Sequence, residues 1–295
     1  SSDVIATLRR VLAQRGVTVR LHTEVAGLLT EPYADQEEPA LSGTADAAAH
    51  GKTRTAKAKA GRPGRVTGVV LSDGMKLSAD AVILATGGLS YPSTGSTGDG
   101  YRFAADAGHT IVEPSPSLAP FYAKEEYVTA LQGLSLRNIR LQIRDGKKLL
   151  FDGFGELLFT HFGVSGPLVL SAGAAIPSAR VKKPLAAQID LKPALSAEQL
   201  DARLLREFEG AKNRQFKNAV ASLFPAKLTP VMLSLGGVDP EKRVNEVTRE
   251  ERREFARRIK AFPLTLAVLR GFDEAIITRG GVKTGEIDPS TMESK

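Results

Sequence analysis

The sequence contains no cysteine and no tryptophan, and only four of its 295 residues are histidine. Without cysteine the chain can form no disulfide, no thiolate nucleophile and no redox-active cysteine pair, so any redox chemistry requires a bound cofactor. The four histidines, His22, His50, His109 and His161, lie far apart in the chain. Since no two of them have the i,i+4 spacing of a helical metal site, no zinc or iron site is expected.

Long apolar stretches are also missing. No run approaches the roughly 18–20 apolar residues that a membrane-spanning helix needs, so no membrane partner is expected. The opening residues 1–3 show neither the basic nor the apolar region of a signal peptide. These features predict a cytoplasmic protein. A chain of this length with 42% hydrophobic residues can bury one large core or two smaller ones.

The formal charge of +7 raises the possibility of a nucleic-acid partner. The distribution of the charges argues against it. Residues 52–65 are basic, but the preceding residues 31–46 are acidic, and the basic residues further along alternate with Glu and Asp. No aromatic residues are interleaved with the basic ones, so a solvated surface is the favoured interpretation and a basic nucleic-acid-binding module is the alternative.

The first 112 residues alternate between helical and extended patterns. Apolar residues at helical spacing predict a helix over residues 4–12, which Gly16 is expected to end. A second helix is predicted over residues 100–107. Polar and small residues dominate positions 34–64, which are predicted to form a disordered loop. Strands are predicted at residues 17–21, 25–29, 65–71 and 75–78, with a hairpin turn at 73–74, and a parallel strand buried on both faces is predicted at 81–85.

A change of composition at Pro114 and Pro116 predicts a domain boundary. Residues 113–195 contain short extended runs separated by Gly and Pro, which is typical of a small, mostly β unit. Residues 196–260 are predicted to be helical, with capping boxes at Ser196/Gln199 and Thr248/Glu251. The extended pattern after Phe262 predicts that residues 263–295 rejoin residues 1–112 in one α/β domain, and that residues 113–262 are an insertion.

The segment most informative about chemistry is the glycine-rich stretch at residues 85–100. Glycines at the carboxyl end of a strand let backbone N–H groups approach a planar ring or a phosphate closely. Thr97-Gly98-Asp99-Gly100 then opens a helix, whose positive end suits an electron-rich partner. The stretch is not a P-loop because no Gly-Lys-Ser/Thr follows. An ordinary turn between a strand and a helix is the alternative interpretation.

This stretch, from Thr86 to Tyr101 with Gly108-His109 behind it, resembles the BaiN-like (aminoacetone-oxidase-like) family of FAD-binding oxidoreductases. Residues 155–167 and 280–295 match two further blocks of the family in the expected order. The resemblance implies a Rossmann-like FAD-binding domain at 1–112 plus 263–295, interrupted by a β-barrel-like insert at 113–195 and a helical insert at 196–262. It covers nearly the whole chain.

The resemblance also implies the residues that contact FAD. They are Glu24, Val25, Ala85, Thr86, Gly87, Gly88, Tyr91, Gly98, Asp99, Gly281 and Val282. The chain departs from the family at both ends: no Gly-x-Gly-x-x-Gly turn precedes Ser1, and the chain stops before the family's last FAD-anchoring segment. We therefore expect an incomplete FAD domain that binds FAD poorly as it stands.

The expected function is that of an FAD-dependent oxidoreductase that acts on a small molecule, with NAD(P)H or oxygen as its redox partner. An inactive fragment is a further alternative. His161 is the one catalytic candidate, because histidine can act as an acid or base near neutral pH. Flanked by Phe159 and Phe162, it is equally compatible with a packed histidine hydrogen-bonded to the backbone. His109 is interpreted as structural.

Overall fold

The computed structural model describes residues 2–32, 64–177 and 179–295. These residues form two compact units. The first contains the described residues within 1–86, 99–111 and 282–295, and the second contains those within 87–98 and 112–281. The predicted disordered loop at 34–64 lies outside the described residues except for its last position. None of the described helices has the length and apolar character needed to cross a membrane.

The first unit combines two helices with an antiparallel sheet. Its elements are α1 (Ser2–Gln14), β1 (Val25–Pro32), β2 (Gly64–Leu71), β3 (Lys76–Ser78) and α2 (Asp99–Asp106). The strands pair in the order β1-β2-β3. The predicted hairpin turn between β2 and β3 is confirmed: Gly74 has a positive φ of 85°, and the N–H of Met75 donates to Asp73 Oδ1 at 2.9 Å. Gly16, with φ of 70°, follows α1 as predicted.

Two strand predictions in this unit are wrong. Neither residues 17–21 nor residues 81–85 form a strand, and the Ile83 side chain is 89% exposed. A parallel strand is stabilised by neighbours that pair with it and cover it, and no strand within the described ranges pairs with residues 81–85. The helix α1 buries none of its residues. The described part of this unit thus contains no parallel sheet of the Rossmann-like type.

The strands of the second unit are β4 (Ile111–Ser117), β5 (Phe121–Ala123), β6 (Ser135–Asp145), β7 (Lys148–Phe159), β8 (Gly163–Ser165), β9 (Leu185–Asp190), β10 (Phe262–Leu269) and β11 (Ile277–Val282). Six of them form a closed barrel with the order β10-β5-β8-β7-β6-β9, and β4 and β11 pair separately as a two-stranded sheet. The helices of this unit are α3 (Tyr127–Ala130), α4 (Pro167–Ala175), α5 (Ala197–Gly210), α6 (Phe216–Ala219), α7 (Leu228–Leu235) and α8 (Arg249–Lys260), with short 3₁₀ turns at 92–94, 221–223 and 244–246, and another at 284–286 in the first unit.

The barrel interior follows the period-2 pattern of its strands. Leu141 and Ile143 of β6 and Leu264 and Leu266 of β10 are almost fully buried. Two of the short extended runs in this region, at residues 148–151 and 157–159, form one strand, β7. The glycines between them are not breaks: a Cβ at Gly153 would lie 2.8 Å from Leu168 Cδ1, so these glycines let α4 pack closely onto the strand.

The boundary expected at Phe262 is also corrected. Strand β10 begins there and pairs with both β5 and β9, which closes the barrel. Residues 263–281 therefore lie with the barrel, and residues 282–295 lie with the first unit. The reason is that β10 supplies the missing pairing partner for two strand edges, a long-range requirement that composition does not reveal.

The helical part has the predicted ends. Ser196 with Gln199 and Thr248 with Glu251 both form complete capping boxes, at the starts of α5 and α8. Apolar residues at helical spacing, Leu200, Leu204 and Phe208 in one stripe and Phe216, Val220 and Phe224 in another, are buried. Their rings pack edge-to-face, with the centroid of Phe216 5.9 Å from that of Phe208 and 5.0 Å from that of Phe255. This packing merges the helices with the barrel into one hydrophobic core.

Candidate functional site

Residues 87–98, called here the glycine-rich turn, lie in the second unit and are held by the segment that follows β10. The hydroxyl oxygen of Thr278 accepts the backbone N–H of Leu89 at 2.9 Å and that of Ser90 at 3.1 Å. The same oxygen lies 3.1 Å from Ser90 Oγ. The N–H of Tyr91 donates to the carbonyl of Phe272 at 3.0 Å. Residues 272–278 thus fix the turn at three successive amides.

The backbone of the turn depends on left-handed conformations. Gly87 has φ of 75°, Gly98 has φ of 85°, and Tyr91 takes φ of 53° although it carries a side chain. A Cβ at Gly87 would lie 2.9 Å from Ser96 Oγ, so this glycine also allows the two ends of the turn to approach each other. Because the amides of residues 89–91 donate within the protein, they do not act as the phosphate donors that the glycine pattern suggested.

The expected FAD-contacting positions are distributed over both units. Gly87, Gly88, Tyr91, Gly98 and Gly281 belong to the second unit, and Glu24, Val25, Ala85, Thr86, Asp99 and Val282 belong to the first.

Of these positions, Tyr91 is 46% exposed, Gly87 is exposed and Gly88 is half-buried. Gly281, by contrast, is buried in β11 and has φ of 98°. The glycine-rich turn is therefore the accessible part of the set in the second unit.

In the first unit the expected positions lie on the sheet edge and at the start of α2. The carbonyl of Glu24 accepts the N–H of Ser72 at 3.0 Å, which fixes the entry to β1 where Val25 begins. Thr86 packs against α2, since a Cβ at Gly100 would lie 2.2 Å from its hydroxyl oxygen. Asp99 is the first residue of α2 and pairs with Arg102 at 3.6 Å.

His161 lies in the turn between β7 and β8, and its side chain is exposed. Its ring packs edge-to-face on Phe162, with 4.9 Å between centroids. No hydrogen bond to its ring is observed within the described ranges, so it is not the buried, backbone-bonded histidine of the alternative interpretation.

Phe162 connects His161 to the segment that holds the glycine-rich turn. The Arg270 guanidinium lies over the Phe162 ring at 4.2 Å and over the Tyr122 ring at 4.6 Å, and it forms an ion pair with Glu274. Residue 272, two positions further, accepts the Tyr91 amide. Residues 270–272 therefore contact both the glycine-rich turn and the ring of Phe162, on which His161 packs.

Sequence reasoning missed Thr278 and Arg270. Thr278 lies 188 residues from Ser90 in the chain, and its neighbours Ile276 and Ile277 give only a strand pattern. Arg270 follows β10 with no motif around it. No local signal could have identified either residue, because both act through contacts distant in sequence.

His109 has the structural role predicted for it. Its Nδ1 lies 3.1 Å from Glu286 Oε2 and its Nε2 lies 2.8 Å from Ser294 Oγ, and its side chain is only 11% exposed. The N–H of Thr110 also donates to Glu286 at 2.8 Å. That amide, then the Thr110 side chain and, to a smaller extent, the His109 ring lower the pKa of Glu286 to about 2. These contacts tie the last residues of the chain to the end of α2.

The glycine-rich turn fits a planar or oxygen-bearing group such as the flavin of FAD. It is exposed, it lacks side chains at Gly87 and Gly88, and three anchored amides hold it in one conformation. A ring can therefore approach the backbone closely. Among the described residues, no group of three or more His, Asp or Glu side chains is placed to hold a metal ion.

The chain matches one protein family and is similar to several known proteins. The family model described as "HI0933-like protein barrel and H2TH domain" matches residues 115–277. The chain is 29% identical to the 3-dehydro-bile acid delta(4,6)-reductase of Clostridium scindens, over 77% of the chain and 56% of the relative. It is 32% identical to the ribosomal RNA dihydrouridine synthase of Haemophilus influenzae, over 72% and 50%, and 28% identical to the protein of that name from Escherichia coli, over 78% and 55%. The chain spans about half the length of these relatives.

Proposed function

The chain belongs to the HI0933-like family of FAD-dependent oxidoreductases, as its resemblance to the BaiN-like proteins indicated, and from that premise we propose that it is part of an FAD-dependent reductase. The observation that carries the proposal is the glycine-rich turn, which is accessible at Gly87 and Tyr91 and is anchored where the resemblance predicts contacts with FAD. The first unit would then belong to the Rossmann-like FAD domain, and the barrel and helices would be an insert in that domain.

The names of the relatives suggest the class of reaction. A delta(4,6)-reductase reduces carbon–carbon double bonds, and dihydrouridine is uridine with one ring double bond reduced. Both names therefore describe the addition of two hydrogens across a double bond conjugated to a carbonyl. We assign the same reaction class to this chain, with NAD(P)H as the expected electron donor.

By the resemblance, Gly87, Gly88 and Tyr91 of the second unit are proposed to contact FAD, and Glu24 and Val25 of the first unit are the positions proposed to lie near its adenine. When bound and first reduced by NAD(P)H, the flavin of FAD would supply the hydride of such a reduction. The protein would then supply the proton, and His161 is the candidate for this role because its ring is exposed and packs on Phe162, whose ring lies under the Arg270 guanidinium. Phe162, itself held by Arg270, would orient the imidazole by contact with its ring.

The substrate is expected to be a small molecule. RNA is the second candidate, because two relatives bear the name ribosomal RNA dihydrouridine synthase. The two candidate substrates differ in the contacts that they need. A steroid-like enone needs contacts to its own rings and carbonyl only. A uridine in RNA also needs contacts to the flanking phosphates, and these contacts weaken as the salt concentration is raised.

The test uses the full-length protein. Purified protein should show the visible absorption bands of flavin, NADH or NADPH should bleach them without oxygen, and an enone or a uridine-containing RNA should restore them. His161→Gln should leave bleaching unchanged and slow restoration by about 10²–10⁴-fold. His22→Gln, at an exposed histidine of the first unit, is the matched control.

A protein that binds no flavin would overturn the proposal as a whole. Restoration at the wild-type rate in His161→Gln would remove only the role given to His161. Restoration by RNA but not by enones, with a rate that falls as salt rises, would establish the second candidate substrate.

A further inference from the structure

The hydroxyl of Thr278 has more neighbours than its lone pairs can accept. Its oxygen accepts the N–H of Leu89 and the N–H of Ser90, at 2.9 and 3.1 Å, and Ser90 Oγ lies at 3.1 Å. A hydroxyl has two lone pairs and one hydrogen. Both lone pairs are used by the amides, which can only donate. The contact between Thr278 and Ser90 must therefore use the hydrogen of Thr278.

This assignment also determines the direction of the Ser90 hydroxyl. In the pair, Thr278 donates and Ser90 Oγ accepts, so the hydrogen of Ser90 points away from Thr278. Within the described ranges no acceptor for that hydrogen is observed. Ser90 is half-buried and stands between Gly88 and Tyr91, two of the positions expected to contact FAD. The turn therefore presents one oriented hydroxyl donor beside its glycines.

We propose that Ser90 is a ligand-binding residue that donates its hydroxyl hydrogen to a carbonyl oxygen of the bound ligand. A carbonyl suits this donor because it accepts without needing to donate in return. The flavin ring carries such carbonyls, and so does a conjugated enone substrate. The inference rests on the proposed function, since both sources belong to that reaction, and it adds a residue and a contact to it.

Thr278 is the positioning residue of this arrangement. It acts through Ser90, because its own hydrogen and both lone pairs are already used. Thr278→Ser keeps the hydroxyl and should behave as wild type. Thr278→Val leaves two amides without an acceptor, so it should lower the melting temperature of the full-length protein and weaken FAD binding together.

The decisive variant is Ser90→Ala in the full-length protein, with Ser93→Ala, at an exposed serine of the same turn, as its matched control. In Ser90→Ala, Thr278 still accepts both amides, so the turn stays anchored and the melting temperature should change little. Loss of one donor to a neutral carbonyl should weaken binding by about three- to tenfold. FAD affinity is measured by flavin fluorescence and substrate affinity by KM with an enone.

If the acceptor belongs to the flavin, Ser90→Ala weakens FAD binding. If it belongs to the substrate, FAD affinity stays constant and KM rises by a similar factor while kcat is kept. Unchanged FAD affinity and unchanged KM would overturn the inference and leave the proposed function standing. A wild-type protein without FAD affinity would instead overturn the proposed function, and the inference with it.

Discussion

At Gly280 the backbone of β11 runs so close to β4 that only glycine fits. This residue has φ of 94°, and a Cβ there would lie 2.6 Å from the carbonyl oxygen of Glu113. The conformation alone costs an L-residue about 1–2 kcal/mol. The contact adds to this cost because its partner is backbone and cannot rotate away.

We predict that Gly280→Ala lowers the free energy of unfolding by about 3 kcal/mol or more. Gly95→Ala is the matched control: Gly95 has φ of 99°, but no atom lies within 4 Å of the position that a Cβ would take there, so only the conformational cost of about 1–2 kcal/mol applies. Urea unfolding of the two variants checks this. Equal losses would mean that the close approach of the strands contributes nothing.

Glu286 gives a prediction about pH. Its pKa lies at about 2 in the folded protein, below the ordinary value of 4.5, chiefly because the Thr110 amide donates to it. A carboxylate with a depressed folded pKa contributes stability that is complete above its unfolded pKa and is lost as the pH falls through the folded one. The contribution should therefore vanish between about 4.5 and 2.

Replacing Glu286 by Gln keeps the shape and removes the charge. The wild type should melt at a higher temperature than Glu286→Gln at neutral pH, and the difference should shrink as the pH falls from 4.5 towards 2. Melting curves over this range measure the difference. A difference in melting temperature that stays constant with pH would show that the carboxylate charge does not stabilise residues 286–294 against α2.

At the scale of the elements, the C-terminal end of helix α4 is capped by an arginine from a distant part of the chain. The Arg279 guanidinium donates to the carbonyl of Ile176 at 3.2 Å and to the carbonyl of Ala174, where α4 has no glycine cap. The last carbonyls of a helix need such donors. This contact joins β11 to α4.

Arg279→Met is predicted to lower the free energy of unfolding by about 1–3 kcal/mol, since a charged donor to two carbonyls is lost. Arg137→Met is the control. That arginine is 76% exposed and its nearest carboxylate, Glu156, is 3.8 Å away, so its loss should cost less than about 1 kcal/mol. Chemical unfolding measures the loss of stability in both variants. Equal losses would show that Arg279 does not cap helix α4.

Elements determined by neighbouring residues could be predicted from the sequence. The capping boxes at Ser196 and Thr248 and the hairpin turn at Asp73 are local patterns, and all three are present. Residues 81–85 have the composition of a buried strand but no pairing partner in the described ranges, so a prediction from their strand propensity alone was wrong. The contact of Thr278 with the glycine-rich turn joins segments 188 residues apart, which a single sequence cannot reveal.

At the scale of the whole molecule, the register of β1 and β2 bears on residues 34–64. Pro32 and Gly64 are directly paired across the two strands. Two paired strand ends can be joined by a hairpin loop of about 2–5 residues. The intervening residues are therefore not needed to span a distance, and their polar composition gives them little to bury.

We predict that replacing residues 34–62 by Asn-Gly leaves the melting temperature of the full-length protein within about 4 °C of wild type, which corresponds to less than about 1 kcal/mol. The matched control inserts Asn-Gly between residues 73 and 74, where it disrupts the β2–β3 turn. A large drop in the deletion variant would show that these residues do pack on the folded protein.

The order of the barrel strands has a consequence for biosynthesis. Strand β10, which pairs with β5 and β9, begins at Phe262, whereas β9 ends at Asp190. At elongation rates of about 5–20 residues per second, the two strand edges stay unpaired for roughly 4–14 s. Unpaired edges invite association with other chains. A nascent chain arrested before residue 262 should therefore recruit chaperones, and release of β10 should end that dependence.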